Sequence, residues 1–392
     1  MKYRKFGSTD FKISVLGFGA MRLPVKEHRV DEIKAIQIIR YAIDRGVNYL
    51  DTAYPYHDGT SEIIVRRALE NGYRKKVRVA TKLPCWKVDN YNDFDLLFNE
   101  QLERLGQKHM DFYLLHSLNK STWQKMVHMG ILEWLDKKIA DGLIHYPGFS
   151  FHDDYSVFKN IVDAYNWAIC LIQHNYMNLD YQAGRKGLKY AFNKGIGIAI
   201  MEPLLGGNLV KPPASIQEIW DKGPVKRTPV EWALQWLWNQ PEIATVLSGM
   251  SSIEQVSENI SYAEKSAPGI LKEAEFKLYE EVISQYEALT AIPCTGCNYC
   301  MPCPQNVDIP RNFVNYNEGI KYDEYDIARG KYKWWKVSYD KKDLFQHDIR
   351  AAACIGCGEC EENCPQNIPI SRWMKVIDEV FEQKKPFVSR IE

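Results

Sequence analysis

The chain is predicted to be an α/β protein, a (β/α)₈ TIM barrel followed by a smaller, mainly helical domain. Two observations support this fold. Eight short apolar runs, each followed by a helical pattern, occupy roughly the first 265 residues, which is the strand count and size of such a barrel. Eight of the ten cysteines then fall in a later segment of the 392-residue chain. We place the two domains at residues 1–289 and 290–392.

The predicted strands are short runs rich in apolar and β-branched residues, bounded by turn-forming residues. They are Val15–Phe18, Val47–Leu50, Val77–Ala80, Phe112–Leu115, Ile144–Gly148, Ala168–Ile172, Ile196–Ile200 and Ala244–Leu247. A hairpin over KYRKFGSTDFKIS, with Gly7 and Asp10 at its turn, precedes them. A doubly wound open sheet is the competing fold. The loop GFGAMRLP after the first strand lacks the G-x-G-x-x-G pattern typical of that fold, so the barrel is favoured.

Helical patterns separate the strands. In DEIKAIQIIRYAIDRG the buried face is predicted from four isoleucines, Ile33, Ile36, Ile39 and Ile43. Ser252-Ile-Glu-Gln255 predicts a capping box that opens the helix after the last strand. Two further helices are expected at 273–289 and from Ser371 to about Gln383.

The charge and hydropathy of the chain exclude several classes of protein. Lys plus Arg and Asp plus Glu number 50 each, so no basic surplus is present and no nucleic-acid partner is expected. No apolar run has the length of a signal peptide core or a bilayer span. We therefore expect a cytoplasmic protein with no membrane partner. The clustered thiols indicate metal ligation rather than disulfides.

Four polar residues follow three consecutive predicted strands: Asp51 and Tyr56, then Lys82, then His116. Catalytic groups of TIM barrels lie at the carboxyl ends of the strands. A tyrosine could act as general acid toward a carbonyl if a nearby ammonium lowered its pKa from about 10. An aspartate would hold that ammonium, and an imidazole would orient the carbonyl. Each residue alone is more often structural, but their joint placement predicts a catalytic tetrad.

The motifs DTAYPY, ATK and YLLH resemble, in order, the Asp, Tyr, Lys and His tetrad of the aldo-keto reductase family. The resemblance extends to about residue 265. It implies hydride transfer between NAD(H) or NADP(H) and a small-molecule carbonyl or alcohol. It also implies a set of residues that contact this cofactor. They are Gly19, Met21, Ser150, Gln173, Met201, Pro203, Leu204, Gly249, Gln255, Glu258 and Asn259.

Four positions depart from the family's pattern. Phe151 replaces an Asn that contacts the carboxamide, and Met201 replaces an aromatic residue that stacks on the nicotinamide. Gly249 and Gln255 stand where NADPH-dependent members carry Lys and Arg toward the 2′-phosphate. Because neither residue can replace a charged phosphate clamp, NADH or another cofactor is expected to be favoured over NADPH.

The segments CTGCNYCMPCP and CIGCGECEENCP form an internal repeat. Three cysteines at two-residue gaps, followed by Cys-Pro, wrap a 4Fe–4S cluster in two-cluster ferredoxins, where the fourth cysteine of each run ligates the other cluster. Zinc is the alternative, although zinc sites rarely use this spacing. We predict a ferredoxin-like iron–sulfur domain with two 4Fe–4S clusters. One is held by Cys294, Cys297, Cys300 and Cys364, and the other by Cys354, Cys357, Cys360 and Cys303.

The first cysteine run is one residue shorter before Cys303, which makes Cys303 the ligand to test first. With this domain, the whole chain resembles the iron–sulfur-containing branch of the aldo-keto reductases. A nicotinamide moves two electrons and a cluster moves one, so a flavin is a candidate mediator, although no flavin motif is visible. A redox partner protein is a further expectation. Two alternatives stay open: an electron-transfer protein with little reductase activity, and a reductase whose clusters are structural.

Overall fold

The structure is a computed structural model that describes residues 1–342 and 344–391. Its internal contacts divide the chain into two units. The first comprises Met1–Gly206 and Val230–Lys272, and the second comprises Gly207–Pro229 and the chain from Glu273 onward. The boundary after residue 289 stays a prediction.

The first unit contains a closed barrel of eight parallel strands, which confirms the TIM fold and excludes the doubly wound sheet. Each strand overlaps its prediction. The barrel strands are β1 Leu16–Gly19, β2 Tyr49–Asp51, β3 Arg78–Leu83, β4 Met110–Leu118, β5 Ile144–Phe151, β6 Ile169–Gln173, β7 Gly197–Met201 and β8 Thr245–Ser248. Strand β8 pairs with β1, with Val246 opposite Leu16, and this pairing closes the barrel.

Helices follow the strands as the sequence pattern predicts. They are α1 Glu32–Asp44, α2 Ser61–Ala68, α3 Asn92–Leu105, α4 Lys120–His128, α5 Ile131–Ala140, α6 Tyr155–Ala164, α7 Gly184–Asn193, α8 Ala214–Asp221, α9 Pro229–Trp238, α10 Ile253–Glu264, α11 Glu273–Ala288, α12 Ile309–Lys321, α13 Tyr325–Asp340, α14 Glu359–Glu362 and α15 Ile370–Glu382. In the described part of the chain, no helix has both the length and the apolar character needed to cross a lipid bilayer.

The N-terminal hairpin is confirmed, since Tyr3–Lys5 pairs antiparallel with Lys12–Ser14. It carries Phe6 into the barrel interior, where the ring lies 5.4 Å from Phe112 and 5.8 Å from Tyr49. Because Tyr49 and Phe112 are near the starts of β2 and β4, this aromatic packing fills the amino end of the barrel. The carboxyl ends of the strands are left for a site.

The buried face of α1 differs from the predicted one. Ile33 is 72 % exposed, whereas Ile38 joins Ile39 and Ile43 in the core. At 100° per residue, Ile33 lies about 120° around the helix from Ile39, outside the stripe that packs on the barrel. Counting isoleucines alone therefore placed one residue on the wrong face.

The second unit has its own apolar core. Residues of α12, α13 and α15, among them Phe313, Trp335 and Trp373, are buried together. The first cysteine run lies in an irregular segment beside this core, the second run includes Cys360 of the short helix α14, and six of the eight thiols are partly buried. Packed helices thus support loops whose cysteines remain near the surface.

Candidate active site and cysteine clusters

The carboxyl ends of β2 and β3 bring three of the predicted catalytic residues into one hydrogen-bonded group. The Nζ of Lys82 donates to Oδ1 of Asp51 at 2.6 Å and to the carbonyl oxygen of Thr52 at 2.8 Å. The hydroxyl oxygen of Tyr56 lies 3.4 Å from the same Nζ. Asp51 and Lys82 are buried, so their ion pair is shielded from water and holds the ammonium beside the phenol.

His116, on β4, completes this group. Its ring lies edge-on to Tyr56 with 6.1 Å between centroids, and Trp86 packs 5.1 Å away on another side. Burial, helped by the charge of Lys82, holds the pKa of His116 well below its usual 6.5. Its buried Nδ1 has no hydrogen-bond partner among the described residues. A neutral imidazole of this kind can orient a polar ligand at neutral pH.

The pKa of Tyr56 differs from the sequence-based expectation. Burial raises this pKa above 10, and the Lys82 ammonium opposes the shift without reversing it. Burial by itself lowers the pKa of Lys82, because it disfavours the charged ammonium. Asp51 and Tyr56 raise this pKa by more, so its net shift is upward. The expected net lowering of the phenol pKa is therefore wrong for this site, because desolvation of the phenolate outweighs the ammonium. Tyr56 stays protonated at neutral pH, as a proton donor must.

A buried polar network lies behind Lys82, which the sequence did not indicate. Nε2 of Gln101 donates to the carbonyl oxygen of Lys82 at 3.0 Å and to Oε1 of Glu62 at 2.7 Å. The hydroxyl of Tyr113 donates to Oε1 of Gln101 at 2.8 Å. These residues come from α2, α3 and β4 and carry no recognisable motif. Their bonds fix the β3 backbone at the residue that bears the ammonium.

Several predicted cofactor residues lie at the carboxyl ends of strands, on the same end of the barrel as the tetrad. Gly19, Gln173 and Met201 end β1, β6 and β7. Pro203, Leu204 and Gly249 follow within three residues of a strand end, and Met21 lies in the short 3₁₀ helix Ala20–Arg22 after β1 with 57 % of its surface exposed. The fold therefore brings these positions to one rim.

Ser150 and Phe151 end β5 with different surroundings. Oγ of Ser150 accepts a hydrogen bond from the backbone N–H of Ser117 at 2.7 Å. Phe151 is fully buried, and its ring packs 5.1 Å from Phe158 of α6. The residue that replaces the family's Asn is thus a core side chain, and it offers no polar contact.

The predicted residues of α10 also differ from one another. Asn259 is buried, and its Nδ2 donates to Oγ of Ser248 at 3.1 Å; Glu258 is exposed. Ser252 caps the helix as predicted, accepting from the N–H of Gln255 at 3.3 Å. In a complete capping box the side chain of Gln255 would accept from the N–H of Ser252. Here it accepts from the N–H of Ser251 instead, at 2.8 Å.

Two residues at this rim were missed by sequence reasoning. The side chain of Arg22 lies along Gly249, so a Cβ atom on Gly249 would be 3.1 Å from Cβ of Arg22. A side chain at 249 would therefore require Arg22 to shift by a few tenths of an ångström. Glu202, directly after β7, has a left-handed backbone with φ of 56°, and its charge raises the pKa of Tyr56. The signals were a basic residue three positions after β1 and an acidic residue directly after β7.

The cysteines separate into two groups. Burial raises the pKa of the Cys294 thiol, and its neighbours Cys297 and Cys364 add to the shift. Burial raises the pKa of Cys300 to about 11, and Cys294, Cys297 and Cys364 again contribute. Thiols affect one another's titration in this way only at short range. Cys364, from the second run, thus lies with the three leading cysteines of the first.

The second group mirrors the first. Burial raises the pKa of the Cys354 thiol, and Cys303 and Cys357 add to it. One cavity is lined by these three cysteines, by Cys360 and also by Cys300 of the first group. A cavity with Cys303, Cys354, Cys357 and Cys360 in its wall would suit a cluster ligated by four thiolates. The crossed ligand sets expected from the repeat stay a prediction, and this grouping of the thiols is compatible with them.

Comparisons with known proteins agree with these two parts. The model of the Aldo/keto reductase family matches residues 15–282, and that of a 4Fe-4S dicluster domain matches residues 293–368, which confirms the resemblance seen in the sequence. The uncharacterized oxidoreductase YqkF of Bacillus subtilis is 28 % identical over 67 % of this chain and 91 % of its own. L-galactose dehydrogenase of Arabidopsis thaliana is 26 % identical over 74 % of this chain and 94 % of its own.

Solved structures with the same barrel include an aldo-keto reductase from Bacillus halodurans in its holo form. It has a TM-score of 0.60 and 24 % identity, over 72 % of this chain and 96 % of that one. An aldo-keto reductase from Klebsiella pneumoniae in complex with NADPH has a TM-score of 0.59 and 20 % identity, over 72 % of this chain and 95 % of that one. At these identities the similarity establishes the fold.

Proposed function

Because the chain belongs to the aldo/keto reductase family and carries a 4Fe-4S dicluster domain, it is an oxidoreductase, and we propose that it interconverts a small-molecule carbonyl and its alcohol using a nicotinamide cofactor. The observation that supports this most strongly is the hydrogen-bonded group of Asp51, Lys82 and Tyr56. Gln173, Ser150 and the loop from Met201 to Leu204 would hold the cofactor, and the NADPH bound in the Klebsiella pneumoniae structure agrees with a cofactor of this class.

When bound, the nicotinamide supplies or accepts a hydride at the carbonyl carbon. In the reductive direction, the hydroxyl of Tyr56 donates its proton to the carbonyl oxygen, which completes the alcohol. The Lys82 ammonium stabilises the phenolate that remains, and Asp51 holds this ammonium in place. Neutral His116 orients the carbonyl through a ring nitrogen.

The cofactor preference is predicted to favour NADH. Neither Gly249 nor Gln255 offers a charge to a 2′-phosphate. The side-chain oxygen of Gln255 already accepts a hydrogen bond from the N–H of Ser251. A charge-assisted contact is worth about 1.5–3 kcal/mol, so its absence removes roughly tenfold or more in affinity for NADPH. Titration of both nucleotides by tryptophan fluorescence measures the two dissociation constants.

Arg22 provides the internal control for this prediction, because its side chain lies over Gly249. Arg22→Gln should leave the ratio of the two dissociation constants unchanged. A preference for NADPH in the parent protein would contradict the prediction. If Arg22→Gln also abolished that preference, the phosphate contact would belong to Arg22.

The second unit is proposed to hold two 4Fe–4S clusters in crossed ligand sets, one with Cys364 and the other with Cys303. Each cluster, when present, carries one electron at a time. We propose that these clusters exchange electrons with a redox partner and couple this exchange to the chemistry at Tyr56. The match to a dicluster domain supports the clusters. A flavin that splits the electron pair between the nicotinamide and the clusters is the candidate mediator of this coupling.

Anaerobic addition of NADH to the cluster-loaded protein tests the coupling. If hydride and electron transfer are linked, electron paramagnetic resonance should show reduced clusters after NADH addition, whereas NAD⁺, which has no hydride to donate, should produce no such signal. Carbonyl reduction without any cluster signal would favour structural clusters. A cluster signal without measurable carbonyl reduction would favour an electron-transfer protein.

A further inference from the structure

Two histidines and an aspartate converge at the amino end of the barrel, at the opposite ends of the strands from the tetrad. Strands β4 and β5 pair in parallel with Phe112 opposite Tyr146. The preceding residues, Asp111 and His145, are therefore neighbours across the two strands. Phe112 and Tyr146 pack in the barrel interior, so Asp111 and His145 point outward. His109 lies just before β4, within reach of both.

The three side chains present their ligand atoms to one another. One ligand atom from each lies within 4.8 Å of the others. Nε2 of His109 is 3.6 Å from Oδ1 of Asp111. The rings of His109 and His145 are stacked, with centroids 4.2 Å apart. Among the described residues, no other set of three His, Cys or acidic side chains brings one ligand atom from each within 4.8 Å of the others.

Asp111 is the anchor of this group. Its side chain is fully buried, and its Oδ2 accepts from the N–H of Val79 at 2.9 Å and from Nη2 of Arg74 at 2.7 Å. Its Oδ1 is also buried but has no hydrogen-bond partner among the described residues. A buried carboxylate oxygen without a partner is costly, and this one faces the two imidazoles.

Arg78 is the competing partner, with Nη1 at 3.8 Å from Oδ1 of Asp111. That distance is too long for a hydrogen bond. The Arg78 side chain is 44 % exposed and also lies over the ring of Phe11 at 5.6 Å. It can therefore remain on Phe11 while Oδ1 takes another ligand.

We propose that His109, Asp111 and His145 bind a divalent first-row transition metal ion of the Zn²⁺ type. Two imidazoles and one carboxylate suit such an ion better than Mg²⁺ or Ca²⁺, which prefer oxygen ligands throughout. Tetrahedral zinc requires its ligand atoms about 3.3 Å apart. His109 and His145 are at least partly exposed, so their rings can rotate toward Oδ1. A water molecule would fill the fourth position.

Bound at this place, the ion would join the starts of β4 and β5 outside the barrel. It would stabilise the native state because the unfolded chain cannot present the same three ligands together. The proposal is independent of the chemistry at Tyr56. A protein inactive as a reductase could still bind the ion, and an active one could fail to.

The test uses the full-length protein with its clusters loaded, so that the cluster thiols are occupied. Isothermal titration with Zn²⁺ should show one equivalent that both His109→Ala and His145→Ala weaken by at least about tenfold. Zn²⁺ should also raise the melting temperature of the parent protein but not of these variants. The matched control is His128→Ala, at the end of α4 and exposed, which should bind like the parent.

Asp111→Asn is a third ligand variant; it keeps the hydrogen bonds to the Oδ2 position sterically possible and should also weaken the binding of the zinc equivalent. Identical isotherms and melting shifts for the parent and both histidine variants would overturn the proposal. So would an equal loss in His128→Ala, since binding would then not depend on this group.

Discussion

Tyr56→Phe is expected to lower kcat for carbonyl reduction by about 10²–10⁴-fold, the usual contribution of a general acid. The substitution removes only the hydroxyl that lies 3.4 Å from Nζ of Lys82. The ring can keep its packing against His116, so substrate and nucleotide affinity should change little. Steady-state kinetics with a panel of aldehydes, together with nucleotide titration, separates the loss of turnover from any loss of binding.

Tyr54→Phe is the matched control, because Tyr54 is on the same loop but its hydroxyl donates to Glu100 at 3.2 Å, away from the tetrad. It should retain near-normal kcat. Comparable kcat in Tyr56→Phe and the parent would contradict the role of Tyr56.

A pH profile adds a second readout for the same residue. Burial is the largest cause of the raised pKa of Tyr56 and the charge of Glu202 adds to it, so Glu202→Gln should lower this pKa. Since Tyr56 donates only when protonated, the loss of activity at alkaline pH should begin at lower pH in Glu202→Gln. Glu103→Gln, at an exposed position on α3, should not change the pH at which activity is lost on the alkaline side of the profile. An alkaline limb that is unchanged in Glu202→Gln would show that the titrating group is not Tyr56.

Cys303→Ala is expected to remove one of the two clusters. The parent protein should contain about eight iron atoms per chain and the variant about four, because a 4Fe–4S cluster needs its four thiolate ligands. Iron and acid-labile sulfide analysis after anaerobic purification gives these values. This is the sharpest position to change, since the run is one residue shorter before Cys303 than before Cys364.

Double variants decide whether the ligand sets are crossed. Cys303 and Cys357 belong to one cluster in the crossed arrangement, so Cys303→Ala with Cys357→Ala should still retain about four iron atoms. Cys297→Ala with Cys303→Ala should retain almost none, because the two cysteines then belong to different clusters. The reverse pattern would show that each run ligates its own cluster.

Local patterns in the sequence were sufficient for the barrel and for the positions of its catalytic candidates. Strand and helix periodicity is a property of neighbouring residues, and eight repeats of it allow few arrangements other than a closed parallel sheet. Once the strands are placed, Asp51, Lys82 and His116 must lie at one end of the barrel, and the structure joins Asp51 and Lys82 by a 2.6 Å hydrogen bond. The cysteine spacing is equally local, and it predicted two groups of thiols.

What the sequence could not determine depends on burial and on contacts between distant residues. The direction of the Tyr56 pKa shift follows from desolvation, which is known only when the surrounding elements are in place. Arg22 lies over Gly249, and His109 and Asp111 lie beside His145, because strands distant in sequence become neighbours in the closed barrel. The sequence by itself thus determined the fold and the residues available for chemistry. The tertiary structure decided their charges and their partners, since desolvation and side-chain contacts arise only when the chain is packed.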